Sequence, residues 1–366
     1  ADLASFSKAQ AAILTSDQMA GFSDKGLTAI SGVFKNIPTD SLTGISSKSI
    51  GGLVVKGMAN AQIAALDANQ LSALSPAQVA TWSKTQLLQI DPDNISNLNL
   101  ANVTITNIDA TLFDNLSNAQ IAKLSSAQIA GLNSTLIGVI TADQAASFTP
   151  AQAPVFKTLT GFDSATVIPN LDSKFVAAIP TKTFAALSGG QITALTEDQV
   201  KVLGSAQIAA LTATKIGDLG ADIAQLTPAA IAGLTKSNIT GFTIGNLSGD
   251  GQFAALTSAQ IGALSAATQV ANLTADQAGV LTATQTAGFS GTQAPNITPS
   301  NIAVIAPKAF AGFSTGAIAA LKDGTLGTAQ VEAITADQAA QITTAQAKAI
   351  TATVIDSIPS EAIDAL

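Results

Sequence analysis

The chain has no cysteine, no histidine and no tyrosine, and all sixteen of its basic residues are lysine. Without cysteine there is neither a disulfide nor a thiolate site, which suits a chain that folds outside the cell without oxidative help. Without histidine a serine or threonine nucleophile would depend on a lysine base, and no Ser–Lys pairing stands out. Charge is also scarce, at 11% of residues with a net charge of -8. Nucleic-acid binding needs clustered Lys or Arg to replace counterions, so that balance disfavours it. No apolar run reaches the roughly 18–20 residues that span a bilayer, so no membrane span is expected. At 47% hydrophobic residues the chain is nonetheless rich enough to bury a core.

What fills that composition is a period. The octapeptide L-[S/T]-x-x-Q-[I/V/A]-A-x returns down most of the chain, as in Leu74-Ser75-Pro76-Ala77-Gln78-Val79-Ala80-Thr81, with Trp82 opening the next copy. The same interval separates Leu187, Leu195, Leu203, Leu211 and Leu219. Each copy spells a helix start. The Ser or Thr accepts from backbone N–H groups of the first turn, and the Gln three residues on reaches back to the cap's own N–H, a capping box. The apolar residue before the cap can staple onto one inside the helix, Leu124 with Ile129 and Leu203 with Ile208. So each octad starts a helix and limits it to about two turns.

Such a helix is unstable alone, because nucleation costs more than so few hydrogen bonds return. Stacked neighbours must supply the rest, and the expected fold is all-α: a solenoid of very short capped helices. The stretch Asn97 to Thr106 partly alternates with period two, which keeps a β-solenoid as the alternative. Residues 1–366 read as one continuous array, with no way to tell how many octads close one coil. The interval lengthens between Leu53 and Leu66, Leu98 and Ile108, Phe242 and Leu256, and Leu321 and Ile334. Irregular insertions are therefore expected near 49–59, 97–109, 157–182 and 245–251. Such insertions either adjust superhelical pitch or form loops that carry partners. The period is already running at Phe6 and Leu14 and still running at Ile350, Ile358 and Leu366, so the array is expected to meet more protein, in a longer chain or a second copy.

The remaining constellations are structural in character. Asp91-Pro92-Asp93-Asn94 opens like a calcium loop, but the sixth position is Ser96 and the twelfth Asn102, so Asp91 is expected to cap a helix. Glu197-Asp198 and the single Asp17, Asp143, Asp276 and Asp337 occupy the first helical turn, where negative charge favours the helix dipole. The Gln column (Gln120, Gln128, Gln191, Gln199, Gln207, Gln260, Gln277, Gln285, Gln330, Gln338, Gln346) follows from the capping box; a sharper expectation is that these amides also bond between neighbouring units. Trp82 and Met19 occupy core columns. Asn-x-Ser/Thr triplets begin at Asn94, Asn102, Asn115, Asn238, Asn246, Asn272 and Asn296, and mean glycosylation only in a cell with the machinery. No catalytic, cofactor-binding or metal-ligating residue is assigned, no cofactor is expected, and the chain is not expected to be an enzyme.

Across Leu124-Ser125-Ser126-Ala127-Gln128-Ile129-Ala130-Gly131-Leu132 and similar units the chain resembles the Leu-Thr-x-x-Gln-Ile/Val-x-x-Leu arrays of very large secreted bacterial surface proteins, often described as adhesin-like. The resemblance implies an extracellular or cell-surface location and a structural role in a fibre, surface layer or biofilm matrix, by self-association. Alternatives are an adhesin stalk whose insertion loops bind a glycan or another cell surface, and ice binding through ranked Thr. The second is disfavoured because the cap ties up the hydroxyl.

Overall fold

In the computed structural model the described residues are 6–322, 326–349, 354 and 356–364. They are helical, and among them there is no strand, which removes the β-solenoid alternative. The chain divides into two compact units, residues 1–178 and 179–366. Each is an all-α solenoid of very short helices, and the same rules build both.

The helices are four to six residues long, as at Ala142–Ala146 and Ser205–Ala210. Each is opened by an extended cap residue, Thr141 at φ -82°, ψ 166° for example. Many end on a Leu that is extended again, such as Leu211 at φ -75°, ψ 147°. These two extended residues re-aim the chain between helices. The core consists of pairs three residues apart: the apolar residue after the Gln and the Leu that follows. Ile121 with Leu124, Ile192 with Leu195 and Ile208 with Leu211 are all buried. A fully buried Ile or Leu contributes about 1.5–3 kcal/mol, so a coil of such pairs supplies what an isolated two-turn helix lacks.

Helices pack on those three units along, Thr181–Ala185 against Ser205–Ala210 and Gly189–Thr193 against Ala213–Asp218, so a coil holds three units, or 24 residues when all are octads. Gln144 lies over Leu116, and Gln152 over Leu124, each 28 residues on. The Gln side chain reaches half an octad further back than the helix it packs on: Ala142–Ala146 lies against Asn118–Ala122, while Gln144 bonds to the end of Ala110–Asp114 and to Leu116. Backbones approach closely there, and a Cβ on Gly44 or Gly233 would run into the main chain of Ser16 or Ser205, again 28 residues back.

The irregular stretches are not loops standing off this body. Leu53 to Leu66 is a five-residue unit followed by an octad, with Val55 and Met58 as the extra buried pair. Leu98 to Ile108 is two five-residue units, Leu100/Val103 and Ile105/Ile108. Phe242 to Leu256 is one five-residue unit, Ile244/Leu247, and one of nine. In the short units the helix is reduced to a 3-10 turn, as at Val55–Gly57, Ile105–Asn107 and Ile244–Asn246. In the nine-residue unit at 248–256 the extra residue makes a π turn at Gly249–Phe253. Between Phe156 and Ile179 the spacing varies, yet Phe156, Phe162, Ile168 and Leu171 remain buried. Phe148, Phe156, Phe162 and Phe175 pack there with ring centroids 5.3–6.3 Å apart. Of the fourth slip, between Leu321 and Ile334, only part is described, with Leu326 buried.

These units change the coil's length without changing its stacking. The Gln-to-Leu separation is 28 residues for octads alone and 25 where one five-residue unit intervenes, as from Gln70 to Ile45. With two it falls to 22, from Gln120 to Leu98. Nine-residue units add one each: 29 from Gln285 to Leu256 and 30 from Gln277 to Leu247.

Candidate functional site: an amide ladder and a groove at the shortest coil

The repeated Gln does more than close its capping box. At Gln144 the amide oxygen accepts from the Thr141 N–H at 3.2 Å. The Nε2 donates to the carbonyls of Phe113, Asp114 and Leu116, at 2.9, 3.0 and 3.1 Å. Leu116 lies beyond its own helix, Ala110–Asp114, so its carbonyl is outside the intrahelical ladder and needs a donor from elsewhere. One side chain therefore joins the bare N-terminus of one helix to the bare C-terminus of a helix one coil below. Gln128, Gln260, Gln285, Gln293 and Gln346 repeat the arrangement. The expectation that the amides bond between units holds, with backbone carbonyls rather than other Gln amides as their partners.

Departures from the octad show which half of the box matters to the stack. Ala59 and Gly204 have no hydroxyl, yet their N–H groups still donate to Gln62 and Gln207 at 2.9 and 3.1 Å. Where Gln is replaced, the stand-in still reaches the coil below. Asn238 donates to the Ile208 and Leu211 carbonyls, Asn301 to Leu273, the Lys215 ammonium to Ala185, and the Ser41 hydroxyl to Leu14. Their part in the stack escaped the sequence analysis, which read Asn238 only as the start of an Asn-x-Thr triplet, although each immediately precedes the first member of an apolar pair. Asn238, which starts an Asn-x-Thr triplet, is 1% exposed. Asn115, Asn272 and Asn296 donate to carbonyls four residues back. These triplets thus arise where a helix-end Asn precedes the Leu and a helix cap follows it.

The other singled-out residues fall into place in the same framework. Asp91 accepts from the Asp93 N–H at 3.1 Å and caps the 3-10 helix Pro92–Asn97. Among the described residues no three His, Cys, Asp or Glu side chains are grouped to hold a metal. Asp17, Asp143, Asp276, Asp337, Glu197 and Asp198 sit in first helical turns. Met19 and Trp82 are buried, and the Trp82 indole N–H donates to the Val55 carbonyl at 3.3 Å. Asp163 is the one carboxyl with a resolved shift among the described residues. Its pKa lies below the ordinary 3.8, chiefly because the Thr166 hydroxyl and then the Thr166 N–H donate to it. No helix among the described residues is long and apolar enough to cross a membrane.

Shortening a coil recesses the surface. Against the two five-residue units lies a groove in two contiguous stretches that share Ala101 and Gln128. Its floor is the segment from Ser96 to Thr106, and its wall comes from the octads above, including Ser117, Lys123, Ser125 and Gly131. A second hollow lies beside the π turn, lined by Ser248, Asp250, Asp276, Val280 and Val304. Both fall at places where the octad period slips.

A family model described as the ALTTAQ repeat matches residues 176–213. A search of curated proteins finds no match. The match covers a stretch of regular octads, and together with the fold it makes this a repeat protein.

Proposed function

We propose that the protein is a non-enzymatic structural repeat protein of the extracellular space or cell surface, which builds a fibre, surface layer or biofilm matrix by packing of repeat units and subunits. The observation that carries this is the amide ladder: the chain's most regular polar chemistry is used to tie coil to coil, and none of it converges on a reacting atom. A fold held by short-range repeats, in a chain without cysteine, can be extended by adding units, because stability in such arrays is roughly a sum of unit and nearest-neighbour terms. The resemblance to secreted bacterial surface arrays points the same way. Electron microscopy and surface labelling of cells that make the protein test it. Ordered filaments, sheets or matrix carrying the label are the expected result; labelling confined to dispersed material inside the cell would overturn it.

A further inference from the structure

We propose that the groove against the two five-residue units binds a linear neutral polysaccharide. The proposal stands apart from the scaffold role. It begins from an imbalance in hydrogen bonding. In the octads, Ser and Thr hydroxyls mostly cap helices, as Thr141 and Thr274 do for Gln144 and Gln277. Along the groove floor, Ser96, Asn102, Thr104 and Thr106 are exposed, and their side chains make no hydrogen bond to the described chain. Asn97 and Asn99 are each half-used: the Asn97 amide N–H donates to Asn94, which leaves its oxygen, and the Asn99 oxygen accepts from Ala101, which leaves its N–H. A five-residue unit has no room for a capped helix, so Asn99, Asn102, Thr104 and Thr106 are left facing water.

The chemistry of these groups selects the ligand. No carboxylate and no aromatic ring lines either stretch, and Lys123 is the one charged residue there. A polyanion would find too few cations, and a polycation none of the acids it needs. Adjacent amides and hydroxyls offer donors and acceptors side by side, which suits the hydroxyl pairs of a sugar ring. The groove follows the outside of the coil from Ser96 to Thr106, along the direction of the chain. Floor and wall are part of the packed coil, so little ordering cost accompanies binding.

Affinity electrophoresis of the full chain through gels containing laminarin, xylan or dextran, with alginate as the acidic counterpart, tests this. Retardation is expected in at least one neutral polymer. The triple variant Asn99→Ala, Asn102→Ala, Thr104→Ala, whose side chains are exposed, should keep the parent's circular dichroism and lose at least tenfold of that affinity. Replacing the unit Leu100 to Thr104 by a regular octad should fill the groove and have the same effect. Retardation by alginate alone, by none of the polymers, or undiminished in the triple variant would overturn the proposal. Filaments formed by the triple variant would be unchanged, so failure here is distinguishable from failure of the scaffold role.

Discussion

At the scale of single residues, the Gln amide is the group on which the stack depends. Gln144 is 2% exposed and serves one donor and three acceptors in neighbouring helices. Gln144→Met keeps the volume and leaves the buried Leu116 carbonyl without its donor, while the Phe113 carbonyl keeps the Leu116 N–H. The expected loss is about 1–3 kcal/mol, the cost of one orphaned buried group. Chemical denaturation measures it. Cutting the hydroxyl half alone, with Thr141→Ala, should cost less, about 0.5–2 kcal/mol, because the Gln bonds to the coil below remain. Asp163 supplies a titrating handle. Its folded pKa is depressed, so its contribution is present above the ordinary 3.8 and is lost as pH falls through the folded value. Asp163→Asn should flatten that part of the acid limb of a stability–pH profile. An unchanged slope would show that the Thr166 bonds contribute nothing to folding.

At the scale of the element, most of the design was legible and one feature was not. The octad announced its cap, its length and its buried columns, because those depend on neighbours within eight residues. The shorter units were mistaken for insertions. The spacing from Leu98 to Ile108 is two units of five, and the pair motif of apolar, two others, apolar persists through it. A search keyed to Gln misses this, because Ala101–Thr106 contains none. The helix gives way to a 3-10 turn there for want of residues, while the pair stays buried. If unit length is interchangeable, changing one five-residue unit into an octad should leave helicity and melting close to the parent. Insertion of a single residue into the octad Leu203 to Ala210 makes a unit of nine and should also cost little, the extra residue being taken up in a turn like Gly249–Phe253. Close approach sets a further limit on the elements. Gly233→Val would drive its side chain against the Ser205 backbone, and a loss above about 2 kcal/mol is expected by the same denaturation assay.

At the scale of the molecule, contacts run between neighbouring coils, so damage should stay local. Hydrogen exchange on Gln144→Met is expected to rise in the helices at 110–114 and 142–146 and their neighbours, with little change around 253–289. A uniform rise across the chain would mean a single cooperative body rather than an array of nearest-neighbour interfaces. The groove belongs to this scale too, since it exists only because two five-residue units are stacked beneath octads.

The sequence by itself determined the local rules: where each helix starts, how soon it stops, which columns are apolar, and that such helices cannot stand alone. These follow from backbone capping and hydrophobic spacing within one octad. Only the tertiary structure decided how many units close a coil, what the Gln N–H groups reach, and that units of five and nine residues share one stack. Those depend on which residues meet after a full turn. The Gln amide reaches half an octad past the helix three units back to a Leu carbonyl, and no pattern within a single unit encodes that meeting.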